Sequence, residues 1–126
     1  MKDLLNIGII QAVVDADLTW NNAPQMDLYE ANAIWKQIQA AFASFQEMSV
    51  TNRPDIVVIP ELAVATNYES RIKDYARKLG TIVIAGLDFM PKGGGWHWKS
   101  SFSLYSTGLA KGRKCGKCGA KDVLFW

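Results

Sequence analysis

Three groups of residues in this 126-residue chain are of types that could do chemistry. The first is a single carboxylate, Glu61, at the end of the run Asp55-Ile56-Val57-Val58-Ile59-Pro60. A glutamate there is a candidate general base, because ligands of open α/β sheets bind at the carboxyl ends of the strands. The second is Cys115-Gly116-Lys117-Cys118, which has the spacing of half a zinc knuckle. It supplies two of four ligands, and the single histidine, His97, a third at best. Incidental cysteines in a basic segment are therefore expected, with no metal and no cofactor. The third is the set of lysines and arginines after residue 91, near Trp96, Trp98 and Trp126, which offers phosphate contacts and stacking surfaces. Basic tails are more often solvated, so nucleic acid is not the expected partner. Gly93-Gly94-Gly95 does not join a strand to a helix and is not read as a phosphate-binding loop.

The elements that must position Glu61 follow from apolar patterning. Residues 55–59 contain four consecutive β-branched residues, which predicts a strand buried on both faces and stopped by Pro60, whose nitrogen cannot donate to a ladder. Ile7-Gly8-Ile9-Ile10-Gln11-Ala12-Val13-Val14 predicts a second buried strand, with Gln11 the first polar group near its end. Residues 15–25, rich in Asp and Asn, predict a loop. A long helix is expected from about Asp27 to Met48, with Leu28, Ala31, Trp35, Ile38, Phe42 and Phe45 (or Ala41) forming its apolar stripe and Asp27 and Glu30 suiting its positive end. A shorter helix capped by Asn67 or Ser70 should run through Leu79 and close at Gly80. Residues 81–87 predict a third buried strand. The order β-α-β-α-β, with connections too long for hairpins, predicts right-handed crossovers onto a parallel sheet and an α/β fold. Beyond it, residues 91–95 are expected to form a flexible turn and residues 98–107 a half-solvated strand.

The totals set limits. The length predicts one domain, and no apolar run reaches the roughly 18 residues of a membrane helix. The amino terminus lacks the pattern of a signal peptide, so a cytoplasmic location without membrane association is expected. Residues 1–91 carry seven Lys/Arg and eleven Asp/Glu (7 − 11 = −4), whereas residues 92–126 carry seven Lys/Arg and Asp122 alone (7 − 1 = +6). The charge split marks the end of the chain as a different kind of segment.

The strand closing on Gln11, the long helix, the strand closing on Pro60-Glu61 and the strand Ile82–Gly86, in this order, resemble the amino-terminal half of the nitrilase superfamily, the carbon–nitrogen hydrolases. The resemblance covers residues 1–110 and leaves residues 111–126 as a basic Gly/Lys/Cys tail. It implies half of an α-β-β-α sandwich. It also implies a Glu-Lys-Cys triad that hydrolyses non-peptide C–N bonds in an amide, carbamoyl compound or nitrile. Glu61 matches the general base. The lysine is expected shortly after residues 102–105, where Lys111, Lys114 and Lys117 stand; Lys117 fits the spacing slightly better and Lys114 is close. The nucleophilic cysteine should end another buried strand dozens of residues later, and neither Cys115 nor Cys118 stands in such a strand. The expectation is a truncated or inactive fragment that exposes a sheet face and self-associates. The competing expectations are a non-catalytic interaction module and a small metal- or nucleic-acid-binding protein built on the tail.

Overall fold

The computed structural model describes residues 4–88, 90–92 and 95–97. Three parallel strands, β1 (Ile7–Ile9), β2 (Ile56–Val64) and β3 (Ile82–Leu87), form a sheet in the order β1-β2-β3, and the fold is α/β. β1 is followed by a short helix α1 (Ala16–Thr19) and the long helix α2 (Leu28–Glu47); α3 (Glu69–Leu79) joins β2 to β3. A hairpin of β4 (Met90–Lys92) and β5 (Gly95–His97) follows, antiparallel, with Lys92 paired to Gly95. Part of the expected flexible turn at residues 91–95 is thus strand. The expected strand at residues 98–107 lies outside the described residues, as does the tail 111–126.

The strand order explains where the helices lie. Consecutive crossovers of one hand that step the same way across a sheet put their helices on the same face. Here α2 and α3 pack against each other as well as on the sheet. Phe42 of α2 stacks on Tyr75 of α3 with ring centroids 4.6 Å apart, and Trp35 stacks on Tyr68 at 4.8 Å. Lys78 lies over the Tyr75 ring and Arg71 over the Tyr68 ring, so each aromatic pair carries a cation on its outer side. Beneath them, Ile34, Ile38, Phe42, Val57, Ile59, Ile72, Ala76, Val83 and Ala85 are buried in one cluster.

The opposite face of the sheet holds β-branched residues too, in two rows set by the register: Ile7-Ile56-Ile82 and Ile9-Val58-Ile84. No helix among the described residues covers it. Ile7 is 63% exposed and Ile9 70% exposed, and the other four are half-buried. The sequence reading of strands buried on both faces is corrected here: each is buried on one face, and β1 is an edge strand only three residues long. A β-branched run reports strand propensity, and whether a second layer arrives depends on topology.

Local features set the helices. Asp27 caps α2, its Oδ1 accepting from the Tyr29 and Glu30 amides at 2.9 and 3.1 Å. At the other end Arg53, from the loop beyond, donates to the Met48 and Gln46 carbonyls at 3.1 and 2.7 Å, satisfying acceptors that the helix leaves open. Ala31, Ile34, Trp35, Ile38 and Phe42 are the buried stripe of α2; Leu28, expected in it, is 73% exposed in the first turn. Neither Asn67 nor Ser70 caps α3: a 3-10 turn at Thr66–Tyr68 leads into it instead, with no side-chain cap. Gly80 ends α3 in the left-handed region (φ 65°), as the sequence predicts, with its amide returning to the Ala76 and Arg77 carbonyls. The predicted loop at residues 15–25 contains α1, capped by Asp15 and too short to show a period. A Cβ added at Gly8 would sit 2.9 Å from Phe45 Cζ and 3.1 Å from Pro54 Cβ, so glycine lets the end of α2 close onto β1.

Candidate functional site

The two ends of the sheet are built differently. At the amino end β1 and β2 are tied by reciprocal bonds: the Asn6 amide donates to Asp55 Oδ2 and the Asp55 amide to the Asn6 carbonyl, both at 2.8 Å. The Asn6 side chain donates to the Thr51 and Arg53 carbonyls. This clamp fixes the register of β1 against β2.

At the carboxyl end the register breaks on the central strand. Ile59 pairs with Ala85 and Val64 with Leu87, so β2 advances five residues while β3 advances two. Three extra residues of β2 are therefore accommodated between Pro60 and Ala63, and the strand runs on to Val64 instead of stopping at Pro60 as the sequence suggests. The missing Pro60 amide explains why regular pairing ends there, and Ala63 and Val64, both buried, explain why pairing resumes. Irregularities of this kind re-aim side chains and are frequent beside active sites. Glu61 stands in this segment, two residues beyond the last regular pair. It is the candidate residue that the structure places by its backbone at the carboxyl edge.

A second carboxylate lies at the same end. Asp88, the residue after β3, is 3% exposed; its amide donates to the Val64 carbonyl at 2.7 Å and its Oδ2 accepts from the Met26 amide at 2.9 Å. The neighbouring Asp27 amide donates to the Thr19 carbonyl at 2.8 Å. Asp88 thus binds the chain entering α2 to the resumed part of β2, and frames the segment that carries Glu61. The sequence reading missed it. The available signal was an Asp directly after the apolar run Ile82–Leu87, at the same strand edge as Glu61.

Lys111, Lys114, Lys117, Cys115 and Cys118 lie outside the described residues, and His97 is in β5. Among the described residues no group of three His, Cys, Asp or Glu side chains is arranged to hold a metal ion. No helix among them is long and apolar enough to cross a membrane. Comparison with family models, with curated proteins and with solved structures finds no match to this chain.

Proposed function

We propose that residues 1–110 correspond to the amino-terminal half of a carbon–nitrogen hydrolase, with Glu61 as its general base. The observation that carries this reading is the place of Pro60-Glu61: on the central strand of a parallel sheet, where the ladder breaks at the carboxyl end. In the chemistry implied by the resemblance, the glutamate takes the thiol proton of a cysteine. The thiolate attacks an amide, carbamoyl or nitrile carbon, and a lysine stabilises the charge that develops on the substrate. Lys117 or Lys114 is the proposed lysine. The nucleophile is not proposed among residues 1–126, and a base without its nucleophile does not catalyse acyl transfer by this route.

The test reads the coding DNA past codon 126 in all three frames and expresses the extended chain. A buried strand closing on Cys is expected, together with hydrolysis of a simple amide that Glu61→Gln lowers by about 10²- to 10⁴-fold, the usual range for a lost general base. An undiminished rate in Glu61→Gln overturns the assignment. A second reading, a non-catalytic interaction module, rests on a different observation, the sheet face of Ile7, Ile9 and their row partners, which no helix among the described residues covers.

A further inference from the structure

The chain between β1 and α2 spans the carboxyl end of the sheet and is pinned at two places. Near β1, the Gln37 carboxamide takes both backbone groups of Val13: its Oε1 accepts from the Val13 amide at 2.9 Å and its Nε2 donates to the Val13 carbonyl at 3.2 Å. On the β3 side, the Met26 amide donates to Asp88 Oδ2 at 2.9 Å. Because β1 and β3 flank β2 on its two sides, residues 14–25 pass the end of the central strand, where Glu61 stands.

Between the pins, the hydrogen bonds of residues 14–25 close on the segment itself. Asp15 caps α1 through the Asp17 and Leu18 amides, and the Thr19 amide returns to the Asp15 carbonyl. The Trp20 amide donates to the Ala16 carbonyl, the Ala23 amide to the Trp20 carbonyl, and the Asp27 amide closes the neck on the Thr19 carbonyl at 2.8 Å. Among the described residues, none of these bonds reaches a strand of the sheet. The segment is seated by packing instead: Thr19 is fully buried, and Val14 and Trp20 lie against the core. That seat is poorly matched in polarity, because Thr19 Oγ1 and Trp20 Nε1 are buried without a hydrogen-bond partner. An unpaired buried polar atom carries its desolvation penalty in full, and access to water relieves it.

We propose that residues 14–25 are a lid at the carboxyl edge, which opens as a unit while the Val13 and Met26 pins hold. Segments tied to a fold by few hydrogen bonds open locally without unfolding the core. Opening breaks one backbone bond, from Asp27 to Thr19, leaves α1 intact, and brings Thr19 Oγ1 and Trp20 Nε1 to water. A lid of this kind admits substrate and then excludes solvent. That the opened edge admits an amide rests on the reading of Glu61 above; the opening itself uses no step of that chemistry.

Trp35 supplies an internal control. Its Nε1 is also buried without a partner, but its ring stands in α2, stacked on Tyr68 at 4.8 Å, so water reaches it when α2 and α3 separate. Neither indole is protected by a hydrogen bond of its own, and burial alone sets the protection of each. Hydrogen exchange of the two indoles in the intact chain, followed by NMR with isotopically labelled tryptophan, reads the lid against the core. Trp20 is expected to exchange at least about 100-fold faster than Trp35. Urea below the unfolding transition should leave the Trp20 rate unchanged and raise the Trp35 rate, since only core opening exposes much surface. The Asp27 amide should exchange together with Trp20, and the Met26 amide together with Trp35. Thr19→Val keeps the shape and removes one unpaired hydroxyl, and should slow Trp20 exchange about tenfold. One rate and one urea dependence for both indoles overturn the lid, and so does Trp20 exchange at the rate of free indole. A Met26 amide that opens with Trp20 moves the event into the start of α2 and overturns it too, as does a Thr19→Val variant that exchanges like the native chain. Hydrolysis that Glu61→Gln leaves undiminished overturns the hydrolase reading alone.

Discussion

The two faces of the parallel sheet are built from the same residue types and meet different surroundings. On one face Val57 and Val83 are fully buried beneath α2 and α3; on the other, Ile7 and Ile9, in strands of the same composition, are more than three-fifths exposed. Both faces satisfy the same β propensity, and the backbone ladder is identical from either side. What separates them is the path of the chain: strands laid down in the order β1-β2-β3 place both crossovers on one side, and among the described residues no reversal brings a helix to the other. A ligand crevice of the doubly wound kind forms where strand order reverses, and the described strands have no such point. Glu61 is therefore set apart by the break in the β2 ladder, rather than by a switch in winding.

The largest expected effect lies on the covered face. Phe42 is fully buried, stacked on Tyr75 and edge-on to Phe45 with centroids 6.5 Å apart. Phe42→Ala removes the ring that joins α2 to α3, and should cost about 3–5 kcal/mol in chemical denaturation. A loss below about 1 kcal/mol would mean that the two helices do not share one core over this face.

At the carboxyl edge, where the faces meet the loops, the next effect in size is expected. Asp88→Ala leaves the Met26 amide buried without the Asp88 acceptor, a cost of about 1–3 kcal/mol. Asp88→Asn keeps a side-chain oxygen for the same amide and should recover part of that loss. Hydrogen exchange at the Met26 amide distinguishes the two variants: fast in the alanine variant, slower in the asparagine one. Equal exchange in both would remove Asp88 from the frame of the candidate site.

These comparisons also show which parts of the fold the sequence made legible. The period of α2, the apolar run at residues 82–87 and the stop at Gly80 are local signals, each decided by neighbours within a few residues, and the structure keeps them. The exposure of Ile7 and Ile9 is not local, because it depends on where the crossovers place α2 and α3. Leu28 fits the helical period yet sits in the first turn, beyond the reach of the sheet. Of the candidate site, the position of Glu61 beyond an apolar strand was legible. The three-residue break in register was not, because it is a relation between β2 and β3 that neither strand records alone. Asp88 was overlooked for a similar reason: its contacts, to Met26 and Val64, join segments distant in sequence.

The smallest expected effect is the sharpest test of the difference between the faces. Val57 and Val58 are consecutive residues of β2, in the same ladder, and point to opposite sides of the sheet. Valine and threonine have nearly the same shape, so Val→Thr at each position changes little beyond placing a hydroxyl on that face. At Val57, fully buried, the hydroxyl is removed from water, and Val57→Thr should cost about 1–3 kcal/mol. At Val58, half-buried on the uncovered face, the hydroxyl keeps access to water and threonine keeps the strand propensity. Val58→Thr should then stay within about 0.5 kcal/mol in chemical denaturation. A Val57→Thr cost well above that of Val58→Thr would separate the two faces by one substitution at adjacent positions. Equal costs would mean that the two faces are equally covered.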